Sequence, residues 1–199
     1  AFSHDLVGDI LANQMQLDKA LDEYRASRSI REKLSTDDPN DPNLQWARSI
    51  SESKIGDMLF RQGHLEAALA AFQSALQMSA PLARADPKDI ERRRHLLVIH
   101  HRIGDVLTKQ GDLNGAGEAY RTSLVIAEQL AAGDPRNIQL QRDLAASQER
   151  IGNVLEDQGD MKAALAAYRT SLSITQRLAA DDPEKVPIQR DLSLGYENV

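Results

Sequence analysis

The chain has 199 residues, 41% apolar and 27% charged, the balance of a soluble folded protein. A net charge of -6 argues against a general phosphate-backbone binder, which carries a basic face. The absence of cysteine excludes disulfides, zinc-thiolate sites and a thiol nucleophile, and no apolar run approaches the ~20 residues of a membrane span. Aromatics make up only 4%, so leucine, isoleucine and alanine must fill the core. The N-terminal AFSHDLVGDI lacks the basic and apolar blocks of a signal peptide, and a cytoplasmic location is the default expectation.

Self-similarity organises the whole chain. Gly8, Gly56, Gly104 and Gly152 are each 48 residues apart, as are Val7, Ile55, Ile103 and Ile151. Leu11, Leu59, Leu107 and Leu155 keep the same step. So do Ala20, Ala68, Ala116 and Ala164, and the aromatic series Tyr24, Phe72, Tyr120 and Tyr168. Asp-Pro closes each unit, at Pro39, Pro87, Pro135 and Pro183. Strict register without insertion points to one array over 1–199. Its repeats run 1–40, 41–88, 89–136 and 137–184, with a partial fifth over 185–199.

Taken in order, the repeats differ in telling ways. Repeat one has Met15-Gln16 where the others have Gly63-His64, Gly111-Asp112 and Gly159-Asp160, which predicts a strained cap or a different turn. Repeat two carries Trp46, the only tryptophan, where the others have Arg94, Arg142 and Arg190. A position that accepts arginine is not deep core. It suits a contact hot spot or packing across a helix N-terminus. Pro81 falls inside the second helix of repeat two and predicts a kink there. In repeat three Gly117 replaces Leu21, Leu69 and Leu165, and a neighbour is expected to fill the space.

Repeat four shows the pattern most cleanly. Leu140, Leu144, Ile151 and Leu155 form one helical stripe, with small Ser147 and Gly152 between them. Gly159 suits a left-handed C-cap and Asp160 an N-cap. Met161, Ala164, Leu165, Tyr168, Leu172 and Leu178 form a second stripe, ended by Asp182-Pro183. No segment of comparable strength alternates with period two. The fold is all-α.

Ile151-Gly152-x-x-Leu155 followed by Ala164-x-x-x-Tyr168 resembles the tetratricopeptide repeat family. That signature places Leu-Gly-x-x-Tyr on a first helix and Ala-x-x-x-Phe, with a later proline, on a second. His4, Glu52, His100 and Gln148 depart from it, standing where the signature has tryptophan. The unit also has 48 residues rather than 34. The added residues read as about two turns on each arm, because antiparallel neighbours must lengthen together to stay covered. Kinesin-light-chain-like repeats are similar in being lengthened. The resemblance implies a right-handed α-solenoid, a superhelix of antiparallel helix hairpins. The glycine series would let the two helices of a hairpin approach closely, and leucine at Gly104 would cost about 1–3 kcal/mol.

No catalytic constellation stands out. His95-x-x-x-x-His100-His101 lacks the i,i+4 spacing that puts two imidazoles on one face. There is no Gly-x-Ser-x-Gly elbow and no glycine-rich phosphate loop. Asp37-Asp38 and Asp181-Asp182 fall at helix-end turns, and Arg92-Arg93-Arg94 reads as a solvated helix face. No enzyme activity, metal or cofactor is expected.

The resemblance further implies that the first helices line a concave surface where ligands lie. The matching positions are Asp5, Asp9 and Asn13 in repeat one, and Ser53, Asp57, Phe60 and Arg61 in repeat two. They continue as His101, Asp105, Thr108 and Lys109, then Glu149, Asn153, Glu156 and Asp157. Asp9, Asp57 and Asp105 form an acidic row. Of the bases Lys54, Arg102 and Arg150, one turn earlier, the first two are placed to pair with the acids three residues on. The expected function is a non-catalytic scaffold for a peptide or helical segment of a basic or mixed-charge partner protein, without nucleic acid or membrane. The alternative is a regulatory, spacer or self-assembling module of a larger enzyme or signalling protein. The chain starts within a first helix and stops at Val199, one residue before the next glycine of the series. The array is therefore expected to be longer, with apolar ends able to stack into homo-oligomers.

Overall fold

The computed structural model describes residues 1–36, 38, 41–181, 192 and 195. Eight α-helices and no strand occur among them. They are α1 (Phe2–Asn13), α2 (Leu17–Leu34), α3 (Pro42–Arg61), α4 (Leu65–Ala85), α5 (Ile90–Gln110), α6 (Leu113–Gly133), α7 (Ile138–Asp157) and α8 (Met161–Asp181). From α3 onward each first helix starts 48 residues after the last, as each second helix does from α2. The Asp-Pro motifs at Pro39 and Pro183, and the partial fifth repeat apart from Leu192 and Gly195, lie outside the described residues.

Local chemistry sets the boundaries. Asp41 accepts from the Asn43 amide, with Pro42 opening α3, and Asn137 accepts from Gln139 and Leu140 at the start of α7. Asp112 and Asp160 cap α6 and α8 through the amides of Gly115 and Ala163. Asp86 and Asp134 end α4 and α6 in extended conformations, as a residue before proline must. Between the arms of the hairpins, Gly63 and Gly159 take φ of 81° and 85°. Met15 takes φ 60° at the same place, and Gln16 N–H still reaches Leu11 O, as His64 reaches Leu59. Repeat one therefore keeps the same turn and carries the strain.

The chain divides into two compact units, Ala1–Gln110 and Gly111–Val199. In the first, α1 to α5 pack in chain order, and α3 also touches α5. In the second, α6 packs on α7 and α7 on α8. Phe72, Leu97, Ile99 and Val106 are wholly buried in the first unit, and Leu140 and Val154 in the second. Ala145, Ile174, Leu178 and Ala179 form a further cluster, with Ile138, Leu144 and Leu192 against it. Met161 departs from the expected stripe and stays 60% exposed, because it opens α8.

The glycine series acts as the sequence implies. A Cβ on Gly8 would stand 2.6 Å from Tyr24 Cε1, and one on Gly56 2.7 Å from Phe72 Cε1. Gly152 meets the Tyr168 ring in the same way. Each aromatic ring thus lies flush on the glycine of its partner helix. Gly117 is buried under the Arg121 side chain, whose Nη1 would lie 3.4 Å from a Cβ there. Helix α4 runs unbroken through exposed Pro81.

One ionic lock sits inside the first unit. Asp5 on α1 is buried and holds Arg31 of α2 bidentately, at 3.3 and 2.5 Å. The same guanidinium donates to Ser27 at 2.7 Å and to Ser51 of α3. Burial raises the Asp5 pKa, but bonds from Arg31 and Ser27 and the charges of Arg31 and Lys54 outweigh it. The carboxyl stays below its ordinary value.

Three outcomes follow. Gly56→Ala should lower stability by about 1–3 kcal/mol, read from the urea midpoint, since the Phe72 ring must leave its seat. An unchanged midpoint would remove the ring-on-glycine contact from this account. Met15→Gly should raise stability by roughly 0.5–1 kcal/mol by relieving the positive φ; a loss would mean the side chain outweighs the strain. Asp5→Ala should cost about 3–5 kcal/mol near neutral pH, because Arg31 is left buried without its partner. A depressed folded-state pKa contributes stability that is complete above about pH 4 and is lost as the pH falls through the folded value. The gap between Asp5→Ala and wild type should therefore narrow in acid, and a pH-independent gap rejects the pair as its source.

Candidate protein-interaction face

Asp9, Asn13 and Asp57 line one groove of about 420 Å3 in the first unit, with Tyr24, Lys54 and Met58. The Tyr24 hydroxyl donates to Asp9 Oδ1 at 2.7 Å, and Lys54 Nζ donates to both Asp9 oxygens at 2.6 and 2.9 Å. Lys54 also lies 5.2 Å from the centroid of the Tyr24 ring. Arg102 Nε stands 2.7 Å from Asp57 and its Nη1 3.5 Å from Asp105. The bases therefore reach back to the acid of the preceding repeat, 45 residues earlier. For Lys54 and Arg102, pairing three residues on, as expected from one helix alone, occurs as the second contact of Arg102. Stacking explains the difference, since neighbouring first helices lie side by side and present a base to an acid across the gap. Burial lifts the Asp57 carboxyl above its ordinary value despite Arg102, and Asp105 adds to the rise. Burial and the bond to Asp9 likewise raise the Tyr24 pKa.

Phe60, Arg61 and Lys109 line a second groove of about 420 Å3, with Gln62, Gly63 and Leu65. Arg61 donates to the Ala12 carbonyl at 3.3 Å. Lys109 is exposed and makes no hydrogen bond or ion pair among the described residues. Thr108 spends its hydroxyl on Gly104 O at 2.9 Å.

The expected row needs correction at one register. Asp5 and His101 are buried, His101 only 6% exposed, and the Ser53 hydroxyl is buried with no partner among the described residues. Asp5 turns toward α2, where Arg31 holds it, and His101 and the Ser53 hydroxyl are enclosed rather than on an open face. Glu149 holds the same position in repeat four and is half-buried. Trp46 is half-buried as well, and its ring meets His95 edge-on with centroids 4.7 Å apart. Both line a groove of about 260 Å3 with Ile50, Glu91, Arg94 and Val98. Burial pushes the His95 pKa down to about 4, so the imidazole is neutral at pH 7.

In the second unit Asn153, Glu156 and Asp157 are exposed on α7. The Tyr168 hydroxyl stands 2.8 Å from Asn153 Oδ1 and 2.7 Å from Glu156 Oε2, and its single proton goes to the carboxylate. A cavity of about 190 Å3 opens beside them, lined by Gln139, Arg142, Asp143, Ala145, Ala146, Glu149, Tyr168, Ser171, Thr175 and Gly195. No cluster of three or more metal-ligating side chains occurs among the described residues, and none of their helices is long and apolar enough to cross a membrane.

Arg31 is the residue that sequence reasoning missed. A signal for it existed, since it is the one base in the series Arg31, Ser79, Ala127 and Thr175. A charge where the relatives are small or neutral demands a local partner, and Asp5 stands in the matching series.

Residues 144–184 match the tetratricopeptide repeat family. No curated protein sequence matches the chain. Among solved structures, the chain is similar to a Podosopora anserina putative kinesin light chain with nearly identical tetratricopeptide-like repeats. The TM-score is 0.68 at 15% identity, over 98% of this chain and 85% of that one. It is similar to the apo form of RapI, with TM-score 0.69 and 13% identity over 98% of this chain and 62% of the other. BtubC (BKLC) from P. vanneervenii gives a TM-score of 0.64 and 18% identity over 92% of this chain and 63% of the other. The chain thus spans less than two thirds of RapI and of BtubC, and at these identities the likeness is one of fold. The 48-residue step and the glycine–aromatic seats carry the matched repeat back along the sequence. Residues 144–184 thus carry a tetratricopeptide repeat, and the chain as a whole has the fold of an all-α helical repeat protein.

Proposed function

We propose that this chain is a non-catalytic protein-interaction scaffold. Its first helices take a peptide or helical segment of a basic or mixed-charge partner. One observation carries the reading: side chains from successive first helices share grooves, with Asp9, Asn13 and Asp57 in one and Phe60, Arg61 and Lys109 in the next. The half-buried Phe60 supplies apolar area, and Lys109 supplies a charge with no ion pair among the described residues. The exposed carboxylates Glu156 and Asp157 on α7 favour basic residues elsewhere in the same partner. Asp9 and Asp57 already hold bases and act as scaffolding for the face.

The test uses the full chain beside a Phe60→Ala/Lys109→Glu variant, both checked for helicity by circular dichroism. A protein captured from native cell extract by the wild type is purified and titrated into each. The variant should bind it about tenfold more weakly, the loss of roughly 1–2 kcal/mol expected of contact residues near the centre of an interface. Equal affinity, or no capture by the wild type, removes the reading of this face.

A further inference from the structure

The four repeats treat one register differently, and the last of them leaves a gap. In repeat one, Asp5, Ser27 and Ser51 surround the guanidinium of Arg31. Advancing 144 residues, three repeats of 48, the same positions are Glu149, Ser171, Gly195 and, in place of the arginine, Thr175. Repeats two and three remove the acid as well as the base, with Ser53 and His101 opposite Ser79 and Ala127. Repeat four keeps the acid and loses only the base.

The cavity of about 190 Å3 lies where the guanidinium would be, lined by Glu149, Ser171, Thr175 and Gly195. At ~30 Å3 per molecule it holds about six waters, far more than a packing defect. Gly195, in place of Ser51, contributes no hydroxyl to it. Arg142 and Asp143 also line it, and both already have interactions, whereas Glu149 makes no hydrogen bond or ion pair among the described residues. A half-buried carboxylate without a partner bears a desolvation cost that a matched cation would offset. The planar fork of arginine fits a carboxylate beside a hydroxyl, as Arg31 demonstrates in this chain.

We propose that the Glu149–Ser171–Gly195 cradle receives the guanidinium of an arginine from the partner protein, in the place that Arg31 fills from within in repeat one. This rests on the scaffold reading and names the side chain its partner inserts into the second unit. Arg142 at the rim opposes a loosely held cation, so the site favours a guanidinium seated deeply against Glu149.

The probe is Nα-acetyl-arginine methylamide, titrated into isotope-labelled full chain and followed by amide shifts. Saturable shifts at Ser171 and Thr175 are expected, with the citrulline analogue about tenfold weaker or worse, because it has the same shape without the charge. Glu149→Gln should weaken arginine to the same degree. Thr175→Arg should abolish binding while keeping its helical circular dichroism, since its own guanidinium takes the room. Equal binding of arginine and citrulline analogues, or no shifts on α7 and α8, overturns the proposal. A purified partner held equally by wild type and Thr175→Arg, yet lost by Phe60→Ala/Lys109→Glu, overturns this proposal alone and leaves the scaffold standing.

Discussion

Everything in this fold depends on how closely two helices of a hairpin can approach. At Gly8, Gly56 and Gly152 the ring of Tyr24, Phe72 or Tyr168 lies directly on the backbone of the partner helix, closer than any side chain would allow. That contact sets the spacing and rotation of the arms. It also decides which side chains turn inward and which remain on the outer row. Because close-packed interiors tolerate little change in volume, the same pair recurs at the same register. A chain with only 4% aromatics places its buried rings where one ring does the most.

From that spacing the ionic layout follows. Once two hairpins stack, the first helices run side by side, and a base on one faces an acid on its predecessor. Lys54 with Asp9 and Arg102 with Asp57 are the result. Half-exposed pairs of this kind contribute little stability each. Their value lies in register, since a hairpin shifted by one turn would set each base against the wrong neighbour. The Asp5–Arg31 lock is different in kind, because it is buried and joins three helices through Ser27 and Ser51. The aromatic hydroxyls extend the same logic, Tyr24 holding Asp9 and Tyr168 holding Glu156. Phe72 has no hydroxyl, and the acid beside it, Asp57, relies on Arg102 instead.

Most of the fold was legible in the sequence. The 48-residue step, the capping by Asp160 and the left-handed turn at Gly159 all depend on residues near one another in the chain, and short-range rules suffice for them. The turn at Met15 was half legible: the missing glycine announced trouble, but only the backbone showed that methionine adopts the glycine conformation. Less of the candidate face could be read. Asp5, Ser53, His101 and Glu149 share one register, and the family resemblance alone left it on the open concave row; the structure encloses Asp5, His101 and the Ser53 hydroxyl. A helical wheel has no second helix on it.

By itself the sequence determined the all-α repeat, the helix boundaries and the residues that seat the rings, because repetition and capping are properties of local order along the chain. The tertiary structure alone decided which charges meet. An acid and a base 45 residues apart become partners only when two hairpins stack, and a different acid, three residues on from that base, is the weaker choice once they do. It also decided which polar positions are enclosed. Burial depends on what lies across the gap between helices, and that neighbour is brought there by packing.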